Sequence, residues 1–224
     1  MLKHSNILVI AAHPDDEILG CGGTIVKHVA QGDKVITCIV CEGQSHRNIS
    51  QNNGKFTENA EKILGVSKTI QLGFPDQKLD TIPIVNLITK LEEVVNASKP
   101  NIIYSHSISD INKDHKILFE AMLVATRPML KHIKTIYAFD TSSSTEWGYP
   151  RLFIPDTWVD ISEYLDTKLK AMECYKTEIK EYPHPRSIKA LRNKALSAGN
   201  QCFMDKAETF MTVRRCIRNT DKQI

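Results

Sequence analysis

Acidic and imidazole side chains crowd into one short segment near the N-terminus. The apolar run Asn6 to Ala12 is followed at once by His13, Asp15, Asp16 and Glu17. Three carboxyl groups this close together repel one another unless a cation lies nearby. Nitrogen and carboxylate ligands at the end of a strand suit Zn²⁺ or a similar divalent ion. The segment therefore predicts a metal site formed by His13 and Asp16.

Helix capping is the alternative explanation for the same segment. Aspartate is favoured at the N-cap, and proline followed by acidic residues is common in the first helical turn. Each carboxylate there gains roughly 0.3–1 kcal/mol from the helix dipole. Capping accounts for Pro14, Asp15 and Glu17, but it gives no reason for His13 at the end of a buried strand.

A second group of candidate ligands follows the fourth predicted strand. That strand ends at His106, and the next residues include Asp110, Asp114 and His115. In open parallel sheets, ligands bind at the carboxyl ends of the strands. A catalytic zinc site has three protein ligands and leaves one position for water. His115 is the best candidate for the third ligand.

The elements that position these residues alternate between strands and helices. Apolar runs predict strands over residues 6–12, 34–43, 68–74, 100–106 and 134–140. Helical spacing of apolar residues predicts helices over residues 15–31, 56–64, 83–97 and 114–126. This alternation predicts a three-layer α/β/α, Rossmann-like fold with a mostly parallel sheet. We expect residues 1–224 to form a single domain.

The pattern changes after Thr141. Loops and short extended pieces precede predicted helices over 163–175 and 187–198, and "AETFMTVRR" (207–215) closes the sequence. We expect this C-terminal extension to pack onto the sheet and form a wall of the active-site cleft.

Composition excludes several classes of protein. The net charge of +3 comes from 29 basic and 26 acidic residues, and no basic run indicates nucleic-acid binding. No apolar stretch approaches the ~20 residues of a membrane span. The six cysteines are scattered, so we expect no disulfide framework and a location in the reducing cytoplasm. Cys38 and Cys41 lie in an apolar strand pattern and are expected to be buried thiols. The sequence leaves a homo-oligomer open.

A phosphoacceptor receiver domain is a rival interpretation. Such domains also place paired acids after the first strand, where they bind Mg²⁺. They require an aspartate at the end of a later strand, for which Asp76 would serve, and a lysine after the last strand. The fifth predicted strand ends in "YAFDTSS" without that lysine, and His13 has no role in this scheme.

Two motifs resemble a known family. "AHPDDE" (12–17) and the later "HSISDINKDH" (106–115) resemble the PIG-L/LmbE-like N-deacetylases, which include N-acetylglucosaminyl-phosphatidylinositol de-N-acetylase. Further segments support the resemblance: "CEGQSHR" (41–47), "SSSTEWG" (142–148), "EYPHPRS" (181–187) and "AETFMTVRR".

The resemblance implies a zinc-dependent hydrolase that removes an N-acetyl group from an amino sugar or sugar conjugate, giving acetate and a free amine. It implies that His13, Asp16 and His115 hold Zn²⁺, that Asp15 is the general base, and that Asp114 orients its neighbours. The same ligands accept Fe²⁺ or Co²⁺. The expected partner is a small N-acetylated sugar or sugar conjugate.

One position departs from the family pattern. Well-known members have a second histidine three residues before the metal-binding histidine, and this chain has Asn112 there. An amide can donate a hydrogen bond to an oxyanion, but it cannot act as an acid. His184 in "PHPRS" is therefore a candidate for contact with the reaction centre, the alternative being an ordinary loop histidine.

Four further residues are candidate substrate contacts. Arg47 lies in the polar loop after the second strand, and Arg186 could bind an anionic group on the substrate or hold the C-terminal segment in place. Glu146 and Trp147 could shape the pocket, with the indole stacking on a sugar ring or packing in the core. Two alternatives stay open: an amide hydrolase acting on a thiol-sugar conjugate, and a non-catalytic sugar- or nucleotide-binding module.

Overall fold

The computed structural model describes residues 4–43 and 53–218. Seven strands form one sheet: β1 (Asn6–Ala11), β2 (Lys34–Cys41), β3 (Lys68–Phe74), β4 (Ile102–His106), β5 (Thr135–Phe139), β6 (Thr157–Asp160) and β7 (Ala207–Arg215). Six α-helices surround it: α1 (Asp16–Ala30), α2 (Asn53–Leu64), α3 (Ile84–Ser98), α4 (Lys113–Ala125), α5 (Leu165–Met172) and α6 (Ile188–Asn200).

The sheet is parallel over its first five strands. The strand order is β3-β2-β1-β4-β5-β7-β6, and only the pairings of β7 with β5 and β6 are antiparallel. From β1 the chain first proceeds outward to β2 and β3, and then returns to place β4 on the other side of β1. The order therefore reverses between β1 and β4, and in such sheets the ligand crevice forms at the carboxyl ends of those two strands.

Alternating side chains of β1 produce the three layers. Ile7 and Val9 point into the core beneath α1, α2, α5 and α6, whereas Leu8 and Ile10 point into the opposite core beneath α3 and α4. All four side chains are at most 1% exposed. Because apolar residues cover both faces, β1 is a continuous apolar run, as buried parallel strands require. The predicted three-layer, mostly parallel fold is confirmed.

Glycines allow α1 to approach the sheet closely. A Cβ atom on Gly20 would overlap the Phe139 ring on β5, and one on Gly23 would lie 2.8 Å from the Ile161 side chain. Inside the helix, Cys21 has non-helical angles (φ −147°, ψ 24°), which mark a kink. The close approach matters because the N-terminal turn of α1 carries Asp16 to the edge of the sheet.

The C-terminal third is part of the sheet itself. β7 inserts between β5 and β6, so "AETFMTVRR" is a sheet strand as well as the closing segment. The predicted helix over 163–175 is shorter, because α5 ends at Met172 and the chain continues in turns up to α6. Residues 173–187 are called the α5–α6 loop below, and this loop reaches the candidate site.

A buried ion pair fastens β7 to α1. Glu208 on β7 accepts hydrogen bonds from the Gly23 and Thr24 amides at 2.9 and 2.7 Å and from the Thr24 hydroxyl at 2.6 Å. Lys168 Nζ lies 2.6 Å from the same carboxylate and 3.0 Å from the Leu19 carbonyl oxygen. Every polar atom of this pair thus has a partner away from water.

Removing one partner of this pair is expected to destabilise the protein strongly. Lys168→Met leaves the Glu208 carboxylate buried without its cation, so we expect a loss of about 3–5 kcal/mol in the free energy of unfolding. Urea unfolding followed by circular dichroism measures this loss. Arg192→Met is the matched control, because the half-exposed Arg192 guanidinium pairs with the exposed Asp166 at the surface. An unchanged urea midpoint for Lys168→Met would contradict the interpretation.

Candidate metal centre and active site

The carboxyl end of β1 turns sharply into α1. Asp15 has a left-handed backbone (φ 104°, ψ −27°), unusual for a residue other than glycine. Its amide donates to Glu17 Oε2 at 3.1 Å, and Glu17 is fully buried. The Ala12 carbonyl oxygen accepts from the Cys41 amide of β2 at 2.8 Å. The turn is thus held from both sides, and it directs His13 and Asp16 toward the end of β4.

Three donor atoms form a nearly equilateral triangle at this edge. His13 Nδ1 lies 3.2 Å from Asp16 Oδ2 and 3.2 Å from His115 Nε2, and His115 Nε2 lies 3.2 Å from Asp16 Oδ2. The structure therefore brings together all three ligands predicted from the sequence. We refer to these three atoms as the inner triangle.

The inner triangle fits a tetrahedral divalent ion. Ligands about 2.0–2.1 Å from a tetrahedral ion lie about 3.3–3.4 Å from one another. The observed separations of 3.2 Å match this spacing closely. Two imidazoles and one carboxylate are also a donor set that zinc accepts, with one position left for water.

Charge at the inner triangle also favours a cation. Burial opposes the charged form of Asp16, but the His115 imidazolium outweighs it and holds the pKa of Asp16 well below its usual value. For His115, burial is in turn outweighed by Asp16 and Asp110, which raise the pKa of His115 to about 9. The carboxylates thus stabilise positive charge at this place. A divalent ion can supply that charge, and its binding releases the proton that His115 otherwise carries.

The ring of His115 is held in the orientation a ligand needs. Its Nδ1 lies 2.9 Å from Asp110 Oδ2, so this nitrogen faces a carboxylate and Nε2 is the nitrogen that faces the inner triangle. Asp110 is itself held by Ser144, by the Thr145 hydroxyl at 2.8 Å and by the Asn112 amide at 2.8 Å. The loop after β5 therefore supports a ligand on α4.

Asp114 gives His13 the same kind of support. His13 Nε2 lies 3.1 Å from Asp114 Oδ2, so Nδ1 is the nitrogen left to coordinate. Asp114 also accepts hydrogen bonds from the Gln77 amide at 2.9 Å and the Leu79 amide at 3.1 Å. Asp114 therefore lies where the predicted orienting role requires it, and that role stays a prediction.

His106 is buried beside the inner triangle but is not one of its ligands. Its Nε2 accepts a hydrogen bond from the Ala12 amide at 2.9 Å, and its Nδ1 lies 3.2 Å from Thr141 Oγ1. Both nitrogens are thereby occupied, and burial lowers the pKa of His106 to about 4, so the ring is neutral. The ring stacks on His115 with centroids 3.7 Å apart, which fixes the plane of His115.

Asp15 faces the α5–α6 loop. Its Oδ2 accepts a hydrogen bond from Arg186 Nη1 at 3.0 Å, and the same nitrogen lies 2.9 Å from Glu178 Oε2. Arg186 Nε donates to Ser143 Oγ at 2.8 Å. Burial raises the pKa of Asp15 to about 8, although the Arg186 guanidinium opposes this shift. These internal contacts favour the holding role of Arg186 over a direct substrate contact.

The remaining predicted pocket residues lie on neighbouring loops. Trp147 is 43% exposed, and its ring packs edge-on against His184 with centroids 5.7 Å apart. Glu146 Oε2 lies 3.3 Å from Lys194 Nζ, which also pairs with Asp140 at 2.9 Å. The structure thus brings His184, Glu146 and Trp147 to the loops beside Asp15.

Asn112 and Arg47 are the remaining predicted site residues. Asn112 is the N-cap of α4, and its Oδ1 accepts from the Asp114 amide at 2.9 Å. The oxyanion role proposed for it would use the side-chain NH₂ group, which this bond does not engage. Arg47 lies outside the described residues, so its role stays a prediction.

Sequence reasoning missed several residues of this site. It treated His106 only as the end of a strand and Asp76 only as part of the rival receiver scheme. His106 lies at the end of a predicted strand, as His13 does. This shared position was the sequence signal that indicates His106 as a residue of the site. Gln77 and Glu17 gave no such signal, because their roles depend on contacts across the fold.

Fold and site together define an α/β protein with a candidate metal centre at the switch point of its sheet. The chain belongs to the PIG-L family, described as GlcNAc-PI de-N-acetylase, whose sequence model matches residues 8–126. This membership excludes the receiver-domain interpretation.

Several relatives are deacetylases. The uncharacterized deacetylase YaiS of Escherichia coli is 29% identical over 181 residues, which cover 78% of this chain and 92% of YaiS. The diacetylchitobiose deacetylase of Thermococcus kodakarensis is 26% identical over 191 residues, covering 78% of this chain and 70% of that enzyme. Homologues of this chain therefore include enzymes that act on sugar-linked N-acetyl groups.

Other similarities bear on the fold and on a different reaction. The conserved protein TT1542 from Thermus thermophilus superposes with a TM-score of 0.79 at 22% identity, over 98% of this chain and all of that one. The 4-oxalmesaconate hydratase of Pseudomonas putida is 28% identical over 196 residues, covering 75% of this chain and 71% of the hydratase. In the described segments, no helix is both long and apolar enough to cross a membrane.

Proposed function

We propose that the protein is a metal-dependent deacetylase that removes an N-acetyl group from an amino sugar or sugar conjugate. The observation that carries the proposal is the inner triangle, whose donor atoms are 3.2 Å apart and lie beside the buried carboxylate of Asp15. Zn²⁺ is the ion proposed, one per chain, and Fe²⁺ or Co²⁺ would fit the same donors.

The protein groups divide the work of amide hydrolysis. A divalent ion, when bound, polarises an amide carbonyl and lowers the pKa of water. Asp15 takes the proton from the attacking water and then delivers it to the leaving nitrogen. The left-handed turn and the Arg186 guanidinium hold Asp15 in place, since both constrain its carboxylate. Asp110 and Asp114 fix the two imidazoles so that no reorientation is needed during the reaction.

The loops beside Asp15 supply the surface for the rest of the substrate. The half-exposed indole of Trp147 offers a face for a sugar ring. His184, against its edge, is proposed to contact the reaction centre. Glu146 is a proposed hydrogen-bond acceptor for sugar hydroxyls, and Arg47 remains a candidate on its own loop. The sugar class rests on the relatives, which include a diacetylchitobiose deacetylase.

The experiment that tests the function measures both products. The purified protein is stripped with a chelator, reloaded with Zn²⁺, and incubated with N-acetylglucosamine, its β-glycosides and diacetylchitobiose. We expect acetate and primary amine in equal amounts from at least one compound, only after reloading. A thiol-sugar conjugate in the same panel tests the related amidase. Ligand binding without product release would support the binding module. If 4-oxalmesaconate is added to the panel, its hydration without deacetylation of any sugar would favour a hydratase.

Asn112 can be tested without disturbing the helix that it caps. Asn112→Asp keeps an oxygen for the Asp114 amide but removes the NH₂ donor. If that donor stabilises the oxyanion, kcat should fall by about 10²–10³-fold, while thermal denaturation stays unchanged. Asn112→Ala is the comparison, because it should lose the cap as well, at a cost of about 1 kcal/mol. Full activity in Asn112→Asp would remove Asn112 from the mechanism.

A further inference from the structure

A second group of donor atoms lies on the opposite side of the His13 ring from the inner triangle. His13 Nε2 is 3.1 Å from Asp114 Oδ2 and 3.1 Å from Asp76 Oδ1. Cys41 Sγ is 3.8 Å from the same Asp114 oxygen. Donor atoms of His13, Cys41 and Asp114 all lie within 4.8 Å of one another. We call these three residues the outer cluster.

Asp76 gives an independent indication of a cation at the outer cluster. Asp76 is only 6% exposed, and its Oδ1 accepts no hydrogen bond within residues 4–43 and 53–218, although it faces His13 Nε2. His13 Nε2 lies equally close to Asp114 Oδ2, so a single N–H faces two buried carboxylates, and a buried carboxylate oxygen with so little donation is unfavourable. A cation held by the outer cluster would lie beside this oxygen and compensate its charge.

The donor types decide which ions would bind. A thiolate together with imidazole nitrogen and carboxylate oxygen favours Zn²⁺ and Cd²⁺ over Mg²⁺ or Ca²⁺, because thiolates are soft ligands. Ions can approach from the side of Gln77, which is exposed and whose side chain lies 3.2 Å from His13 Nε2. Neither the inner triangle nor the proposed reaction uses Cys41.

We propose that the outer cluster is a second, weaker and inhibitory site for a thiophilic divalent ion. Binding forms metal–sulfur, metal–nitrogen and metal–oxygen bonds at Cys41 Sγ, His13 Nε2 and Asp114 Oδ2. The Cys41 thiol and the His13 Nε2–H each release one proton to solvent, and no electrons are transferred. Affinity is lower than at the inner triangle because the second ion must displace the Nε2–H proton of a histidine that already coordinates the first ion, and the two cations repel each other.

Inhibition follows from the loss of support for His13. Once Nε2 of His13 coordinates a second ion, the ring no longer donates a hydrogen bond to Asp114. The orientation and basicity of its Nδ1, which faces the inner triangle, then change. The inhibitory effect rests on the proposed deacetylase function, whereas binding of the second ion does not.

Equilibrium dialysis against rising Zn²⁺, with elemental analysis, tests the binding. Wild type should take up one ion per chain and then a second. Cys41→Ser should keep the first and bind the second at least about tenfold more weakly. Cys38→Ser is the matched control, since Cys38 is a buried cysteine of the same strand that belongs to no candidate metal cluster among the described residues. A second ion bound equally well by Cys41→Ser would overturn the proposal.

Spectroscopy on the wild type keeps the test independent of any variant's folding. Cd²⁺ added beyond the first equivalent should produce ultraviolet sulfur-to-metal charge-transfer absorption. The His115→Ala variant should keep this absorption, because His115 is not one of the outer-cluster residues. Saturation at one ion without such absorption would overturn the proposal. Dialysis and absorption both measure metal binding, so they test the second site even if the protein shows no deacetylase activity.

Discussion

Replacing Asp15 by asparagine is expected to lower kcat by about 10²–10⁴-fold without loss of the metal ion. The amide has nearly the same shape and still offers an oxygen to Arg186, so the left-handed turn should persist. It cannot accept the proton of the attacking water, which is the step assigned to Asp15. Rates of acetate release and metal content per chain, measured on the same preparation, check this expectation.

A control separates this role from a general effect of removing a carboxylate. Asp166 is an exposed helix residue that pairs with Arg192 far along the chain from the site. Asp166→Asn should retain activity and metal within a factor of about two, as expected of a surface pair. If Asp15→Asn lost its metal instead of its rate, Asp15 would be a ligand. If it kept full activity, another group would be the base.

Replacing His115 by alanine is expected to remove the ion from the inner triangle and abolish metal-dependent activity. Only His13 Nδ1 and Asp16 Oδ2 would remain, which is too few protein ligands for a stable zinc site. Asp110→Asn should have a smaller effect, about 10–100-fold in metal affinity, because it loosens His115 without removing it. Chelator competition with elemental analysis measures both variants.

The ordering of these affinities is the informative result. Wild type should bind most tightly, Asp110→Asn less so, and His115→Ala least. His132→Ala is the control, since this histidine lies between α4 and β5 and belongs to none of the candidate metal clusters. Full occupancy of the inner triangle in His115→Ala would remove His115 from the ligand set.

The grouping of the three candidate ligands could be predicted because local sequence determines their positions. The first predicted strand ends at Ala12 and the fourth ends at His106, so His13 and His106 fall at the same edge of a parallel sheet. "DINKDH" then places His115 in the first turn of α4. Strand length and helix start are local properties, and they were sufficient to bring His13, Asp16 and His115 together.

The supporting contacts could not be predicted, because they join residues distant in sequence. Arg186 meets Asp15 across 171 positions, and Ser144 meets Asp110 across 34. Both partners come from irregular loops, whose paths no periodic pattern determines. The sequence left Arg186 with two possible roles for this reason, and only the folded α5–α6 loop shows its contact with Asp15.

The C-terminal part of the sheet was harder to predict than the five parallel strands. β7 has the composition of a strand, but its place between β5 and β6 depends on long-range pairing. Its buried Glu208 gains partners only when Lys168 and α1 are packed against it. A charged residue in a closing segment gave no indication of that arrangement.

Stepwise zinc reloading of the stripped protein tests the central claim most directly. Acetate release from an N-acetylated sugar is measured against zinc bound per chain. The proposed site predicts no activity without metal, a linear rise to a maximum at about one ion per chain, and no rise in His115→Ala. Full activity in metal-free protein, or a maximum reached equally by His115→Ala, would contradict the assignment of the reaction to the inner triangle.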